Sequence, residues 1–386
     1  MYLPKVLRIL VKIAFTIILF PLKYLVKKGN IVVLSGPNSY SYCDNCRYLY
    51  EYLSTDKSLK VYWYTDNEDI KKYLKSINNL YISKSSALEL ISVLLRTKVM
   101  INSGDSYINL FGIIDNPFTY KISTSHGSGP KMEAEVMSTK HLKKLHRFDF
   151  LNYPSEYTKT KIGKEHYKLP EKKIISLGYP RCDEYYNPEI IKKTQKEKIV
   201  LKSILRDEFN TDMKFIYYTP TWRKDAYNLP LLDMQSFEYN KFNNWLENKN
   251  LCFLFTTHFI RMMPHGINNS FKRIKMINRN DYPLFDTNKL MIEIDILLND
   301  YSTTSVDYSI LNKPQLFFFP DADAYSEAYK LEVSGVNTRF IDNYRKIIPG
   351  YEVTNYNNFI DQLDYIINNK EEYLSKYSAL SDSLLE

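Results

Sequence analysis

Glycine is scarce in this chain, 11 of 386 residues, and none of it falls in the runs that cradle phosphates in P-loop or dinucleotide-binding proteins. HExxH and GxSxG are missing as well, so the sequence does not read as an ATPase, a nicotinamide enzyme, a zinc protease or a serine hydrolase. The cysteines, Cys43, Cys46, Cys182 and Cys252, are too few and too scattered for a disulfide framework. Cys43 and Cys46 form a CxxC, but no second pair or nearby histidine completes a zinc site. They read as reduced, cytosolic thiols, and neither a metal nor a cofactor is expected. Repeats, heptads and low-complexity tracts are absent.

Acidic residues are missing from positions 1–28, where bulky apolar groups alternate with Lys5, Arg8, Lys12, Lys23, Lys27 and Lys28. The longest uncharged run there, 13–22, is about half of what a bilayer span needs, and Pro21 interrupts it. A signal peptide fits poorly, since Lys12 splits the apolar core and no small-residue cleavage site follows. The pattern favours an amphipathic helix lying on the anionic, cytoplasmic face of a membrane, ahead of a merely structural terminal helix or a true span. The net charge of +8 suggests an anionic partner: nucleic acid, a membrane surface or a phosphorylated substrate. Basic residues are spread along the chain and no nucleic-acid module is recognisable, so a nucleic acid is not the expected partner.

From Asn30 onward, strands alternate with helices. Strands are expected at 31–34, 61–64, 99–102, 120–124, 150–151 and 174–177, with helices at 46–53, 70–75 and 86–96. A charge-rich stretch, 187–198, reads as an interdomain connection. A second alternation follows, with strands at 215–218, 251–256, 292–298 and 315–319 and helices at 198–209 and 240–248, before an amphipathic helical tail at 357–385. Repeated alternation predicts parallel sheets with helices on both faces. The expected division is a membrane-surface helix over 1–28, a Rossmann-like acceptor-side domain over 29–190, a Rossmann-like nucleotide-donor domain over 191–356 and a helical tail over 357–386. Two such halves place a cleft between their sheet edges, a usual site for a nucleotide-carrying substrate.

The stretch Asn299-Asp300-Tyr301-Ser302-Thr303-Thr304 organises the second half. It follows a strand and supplies N-cap residue types to a short helix that ends at Lys313-Pro314, the kind of strand-to-helix turn where backbone N–H groups and the helix dipole receive phosphate. An ordinary capped helix fits the same pattern. Other strand-end loops carry His126 with Gly127, Gly129 and Lys131, then Thr221-Trp222-Arg223, then His258. Histidine takes a proton near neutral pH without a shifted pKa, so His126 in a glycine-bearing loop is a candidate general base, although a lone histidine is as compatible with a structural role.

Together these loops resemble the CDP-glycerol glycerophosphotransferase family of teichoic acid and capsule polymer synthesis. The carriers are Tyr217-Tyr218-Thr219-Pro220-Thr221-Trp222-Arg223, the loop from His126 to Lys131, Leu177-Gly178-Tyr179-Pro180-Arg181-Cys182-Asp183 and the stretch from Asn299 to Tyr308 followed by Asn312-Lys313-Pro314. Ser35-Gly36 with Tyr42, Asp44 and Asn45 is similar to the family's N-terminal motif. The chain departs from the family in having Ser125 before the His-Gly pair and Phe259 after the second histidine, and the expected arginine-glycine pair is not evident around 331–335.

The resemblance implies a GT-B-like α/β fold of two Rossmann-type domains facing a central cleft, with monotopic attachment to the cytoplasmic leaflet. It implies that His126 deprotonates the acceptor hydroxyl and that His258 binds or polarises the pyrophosphate. Arg223, Thr221, Asp300, Tyr301, Ser302, Thr303 and Thr304 would form the donor and phosphate site, with Gly127, Lys131, Ser35 and Asn45 on the acceptor side. The expected reaction moves glycerol phosphate, or another polyol phosphate, from a CDP-linked donor to a lipid-linked saccharide, releasing CMP. The alternative is a GT-B glycosyltransferase that uses a nucleotide sugar to build a surface polysaccharide.

Overall fold

The computed structural model describes residues 21–22, 24–37, 40–104, 117–127, 129, 139–221, 223, 231–232, 234, 237–256, 271–278, 281–282, 284–328 and 340–385. The chain divides into two compact units. One comprises Met1–His126, Met137–Lys159 and Gly163–Arg181, and the other Gly127–Val136, Thr160–Ile162 and Cys182–Glu386.

In the first unit the strands are β1 (Ile31–Ser35), β2 (Lys60–Tyr64), β3 (Leu80–Ile82), β4 (Val99–Asn102), β5 (Tyr120–Ser123), β6 (Phe150–Tyr153) and β7 (Ile174–Ser176). They form a sheet in the order β3-β2-β1-β4-β5-β6-β7, parallel throughout. Crossovers reverse direction between β1 and β4, so the carboxyl ends of these two strands frame the switch point at which doubly wound sheets receive ligands. The register pairs Ser35 with Asn102, bringing two polar residues together at that edge. Beneath it, Trp63, Tyr42 and Tyr50 are fully buried, with the Tyr42 and Trp63 rings 4.8 Å apart, edge to face.

The second unit repeats the plan with β8 (Lys214–Thr219), β9 (Leu251–Thr256), β10 (Ile274–Ile277), β11 (Ile296–Asn299), β12 (Gln315–Phe318) and β13 (Tyr351–Val353). Its order is β10-β9-β8-β11-β12-β13, again parallel, with the switch point between β8 and β11. Every residue of β9 is buried, as expected of a strand covered on both faces. The core on one face is aromatic: Phe242, from the helix Tyr239–Asn248, meets Phe253 edge to face at 5.3 Å and lies 5.8 Å from Phe359, from the helix Tyr356–Asn368.

Several expected elements need correction. The strand expected at 292–298 starts later, as β11 at Ile296, because Ile292 and Glu293 end an unexpected helix, Thr287–Glu293. Asp286 caps that helix by accepting from Asn288 N, and the apolar run Leu290-Met291-Ile292 buries a helical face. Glu293 and Asp295, which interrupt the apolar run, accept backbone N–H groups instead. Glu293 takes those of Val200 (3.0 Å) and Leu201 (2.8 Å), and Asp295 that of Phe215 (2.8 Å). The tail is two helices, Tyr356–Asn368 and Lys370–Leu385, rather than one. The stretch expected as a connection is the helix Pro188–Glu197, within the second unit.

No helix among the described residues is long and apolar enough to cross a membrane. Most of the expected amphipathic segment lies outside the described residues, but its end is tied down: Lys28 Nζ donates to Leu95 O (2.8 Å) and to Thr119 Oγ1 (3.1 Å). Burial, then the charge of Lys121, lowers the Lys28 amine to about 8. Just before it, Tyr24 packs edge to face on Phe118 at 5.4 Å, and Leu25 is 78% exposed.

Candidate functional site

Each unit gathers its polar residues at the carboxyl edge of its sheet. In the first unit, Arg181 follows β7 and reaches the start of the helix Asp44–Leu53, where Nη1 donates to Asp44 Oδ1 at 2.6 Å. The same nitrogen donates to His126 O at 2.9 Å. Asn45 Nδ2 donates to Ser125 O at 3.1 Å, holding the residue before His126, whose φ of +57° is left-handed. Asp44, Asn45 and Arg181 are buried, whereas His126 is exposed at the end of β5. The loop is therefore fixed through its backbone and presents the imidazole. At the switch point, Asn102 Nδ2 donates to Ser35 Oγ (2.8 Å) and Gly36 O (3.1 Å). Gly36 is required there, because a Cβ would stand 2.7 Å from Ser41 O.

In the second unit, the loops after β8 and β11 are joined by a buried ion-pair network. Asp300, with its side chain 0% exposed, accepts from Thr221 N at 2.9 Å, from Thr221 Oγ1 and from Arg223 Nη1 at 2.8 Å. Arg223 Nη2 donates to Asp321 Oδ1 at 2.9 Å, and its guanidinium lies 5.6 Å from the Tyr301 ring centroid. Burial opposes the charge on Arg223, but Asp300 and Asp321 outweigh it and hold the guanidinium protonated. Burial, followed by the charges of Asp321 and Asp300, pushes the Tyr301 hydroxyl well above its ordinary range. Tyr301 stacks on Tyr325 at 4.0 Å and donates to Asp321 Oδ1 at 3.2 Å.

Asn299 shapes the turn itself: its Oδ1 accepts from Thr219 Oγ1 (3.0 Å) and its Nδ2 donates to Ser302 O (2.9 Å). Ser302, Thr303 and Thr304 remain partly exposed. Gly129, in the loop after His126 and within this unit, leaves room for Thr303 and Val306, whose Cγ2 atoms would each stand 3.4 Å from a Cβ there.

The expected site residues thus fall into distinct groups. His126, Gly127, Ser302, Thr303, Thr304 and Thr221 lie at the carboxyl edges of the sheets, exposed or partly exposed. Ser35, Asn45, Asp300, Tyr301 and Arg223 lie beneath those edges and hold them, so Arg223 is not a free cation. Lys131 and His258 lie outside the described residues. Asp321 and Asn102 received no role from the sequence, and Asn299 only a place in the strand-end turn; Asn102 and Asn299 close apolar strands and Asp321 follows β12 by three residues, so a polar residue at or just past an apolar run is the signal that marks them. Among the described residues, no cluster of His, Cys, Asp or Glu could hold a metal ion. A cavity of about 280 Å³ beside Trp245, Tyr356 and Ile360 involves none of the strand-end residues.

Two parallel sheets with the same strand order and polar switch points define a doubly wound α/β protein of the nucleotide-handling kind. Residues 18–386 match the family described as CDP-Glycerol:Poly(glycerophosphate) glycerophosphotransferase, and the chain belongs to that family. It is a transferase of CDP-glycerol-dependent polymer synthesis, related to the enzymes of teichoic acid formation. The teichoic acid glycerol-phosphate transferase of Staphylococcus aureus (strain NCTC 8325 / PS 47) is 25% identical over 92% of this chain and 90% of its own length. The teichoic acid poly(glycerol phosphate) polymerase of Staphylococcus epidermidis is 23% identical over 92% of this chain, which spans 48% of that longer protein. Among solved structures, a histidine-to-asparagine variant of the wall teichoic acid polymerase TagF superposes with a TM-score of 0.72 at 20% identity, over 99% of this chain and 93% of that one. The same variant soaked with CDPG gives 0.70 at 21% identity, over 99% and 93%. At these identities the structural likeness establishes the fold.

Proposed function

We propose that the enzyme moves glycerol phosphate, or another polyol phosphate, from its CDP conjugate to a lipid-linked saccharide acceptor, in teichoic acid or capsule-type polymer synthesis. His126 accepts the proton of the attacking hydroxyl. The new bond joins that oxygen to the donor's β-phosphorus, the bond from this phosphorus to the bridging oxygen breaks, and CMP leaves. Ser302, Thr303 and Thr304 offer hydroxyl and N–H donors to the pyrophosphate, with His258 polarising it. Arg223, Asp300 and Tyr301 keep that turn in shape from beneath. Little covalent chemistry is asked of the protein; positioning and neutralisation of charge carry such a transfer.

The observation that carries this reading is the exposed His126, backbone-anchored at the carboxyl edge of a doubly wound sheet, in a chain of this family. We place the enzyme on the cytoplasmic face of an anionic membrane through the segment 1–28, a reading supported by the exposed Tyr24, Leu25 and Phe118 at its anchored end. Purified protein is to be offered CDP-glycerol, CDP-ribitol and nucleotide sugars with a lipid-linked disaccharide. CMP release coupled to a longer product supports the proposal, and release of a nucleoside diphosphate from a nucleotide sugar replaces it with the glycosyltransferase alternative. Removal of residues 1–28 should free the protein from anionic liposomes; unchanged binding refutes that attachment.

A further inference from the structure

Both carbonyls that flank the His126 Cα are taken by buried side chains. Ser125 O accepts from Asn45 Nδ2 at 3.1 Å, and His126 O accepts from Arg181 Nη1 at 2.9 Å. A peptide group is planar and trans, so a fixed carbonyl fixes the plane it belongs to. The planes on either side of His126 are therefore held, and the direction of its Cα–Cβ bond with them. Only the side-chain torsions of the imidazole remain to be chosen.

The residues that hold this loop are themselves held. Asp44 Oδ1 accepts from Arg181 Nη1 at 2.6 Å and from Asn45 N at 2.7 Å. Asn45 Oδ1 accepts from Arg181 N at 3.4 Å, and the Arg181 guanidinium lies 4.4 Å from the Tyr179 ring centroid. Asn45 is 0% exposed, and the side chains of Arg181 and Asp44 are 5% and 11% exposed. At that depth the three act on a substrate through the loop above them.

The backbone on both sides of the contact is unusual. Ser125, on the held side, has φ of +57°, and Asp44, on the holding side, +67°. Away from glycine, left-handed backbone persists where its surroundings impose it, and it concentrates at functional sites. Here the imposed conformation belongs to the residue just before an exposed histidine.

We propose that Arg181 and Asn45 are positioning residues for the transfer: they aim the His126 imidazole at the attacking hydroxyl, and Asp44 aims Arg181. This rests on the reading of His126 as the base and adds the residues through which that base is set. A reacting group misplaced by about 1 Å can cost about 100-fold in rate, so losing an anchor should show in turnover and leave donor binding alone.

The test follows CMP release from radiolabelled CDP-glycerol with a lipid-linked disaccharide as acceptor. Arg181→Ala should lower kcat by about 10- to 100-fold, while its affinity for CDP-glycerol, measured by calorimetry, is unchanged. In a His126→Ala background the same substitution should change kcat by less than about twofold, because residues that act as a unit are not additive and no base is left to aim. A merely structural role would lower both rates alike. A loss below about threefold with His126 present, an equal loss in both backgrounds, or a matching loss of CDP-glycerol affinity overturns the proposal. Arg181→Ala leaves the Asp44 carboxylate without its partner; if that variant does not fold, Asn45→Ala, which strands no charge, is put through the same comparison against the same limits. Full turnover by His126→Ala alone, or no CMP release by the wild type, instead sinks the underlying reading of His126 as the base.

Discussion

Replacing Asp300 by Ala probes whether the second unit depends on its buried ion-pair network. The side chains of Arg223 and Asp300 are 5% and 0% exposed, and removing one partner of such a pair typically costs about 3–5 kcal/mol. Two features of the site work against each other. Asp321 would still hold Arg223 at 2.9 Å, which favours the lower end, while Thr221 would lose the acceptor for both its N–H and its hydroxyl, each worth about 1 kcal/mol. The expected loss is about 3–4 kcal/mol, or roughly 6–16 °C in Tm for a unit of this size. Differential scanning calorimetry at neutral pH reads it directly, and a shift under about 2 °C would refute the reasoning. A triple variant, Arg223→Met with Asp300→Leu and Asp321→Asn, leaves no uncompensated charge and should recover part of the loss; equal damage would mean that packing, not charge, matters here. Acid gives an independent handle. Burial opposes the charge on Asp321, but the hydrogen bond and charge of Arg223 outweigh it and hold the carboxyl below its ordinary 3.8. With the folded pKa below the unfolded one, Asp321 contributes stability fully above pH 3.8, and this is lost as pH falls through the folded value. Asp321→Asn should therefore flatten the acid limb of the stability curve.

His126→Ala should lower kcat by about 10²- to 10⁴-fold with CDP-glycerol affinity nearly intact, and retained turnover removes its role as base. Lys313 donates to Ile292 O (2.7 Å) and Ile294 O (2.6 Å), and burial lowers its amine from 10.5 to about 8. The folded state then holds this proton less tightly than the unfolded one, so the stability difference between wild type and Lys313→Met should rise as pH increases from 8 to 10.5. Urea midpoints at several pH values across that window check the sign. At Gly350 a Cβ would stand 2.1 Å from Gln315 O, so Gly350→Ala must push β12 and β13 apart and should cost about 3 kcal/mol by urea denaturation.

Much of the fold was legible because fully buried parallel strands are written as unbroken apolar runs. Leu251–Thr256 and Val99–Asn102 are strands at the residues expected. The strands β3, β10 and β13 escaped notice: each is three or four residues long, and β3 and β13 each bury one residue, so neither alternation nor a long run marks them. The expected start of β11 fell four residues early, at Ile292, because a short apolar run suits either element; the cap at Asp286 assigns Leu290-Met291-Ile292 to the helix Thr287–Glu293.

The site was legible in its residue types and illegible in its pairings. An arginine at a strand end reads as a phosphate ligand, yet Arg223 finds Asp321 98 residues away and Arg181 finds Asp44 at a separation of 137. Local spacing carries no trace of either pair. In both units the consequence is the same: the guanidinium is neutralised by a carboxylate and holds a strand-end loop from below. Among the described residues, the groups exposed at these edges include the hydroxyls of Ser302, Thr303 and Thr304 in one unit and the His126 ring in the other. Removing either arginine should therefore loosen the loop it holds before it alters any direct contact with a substrate.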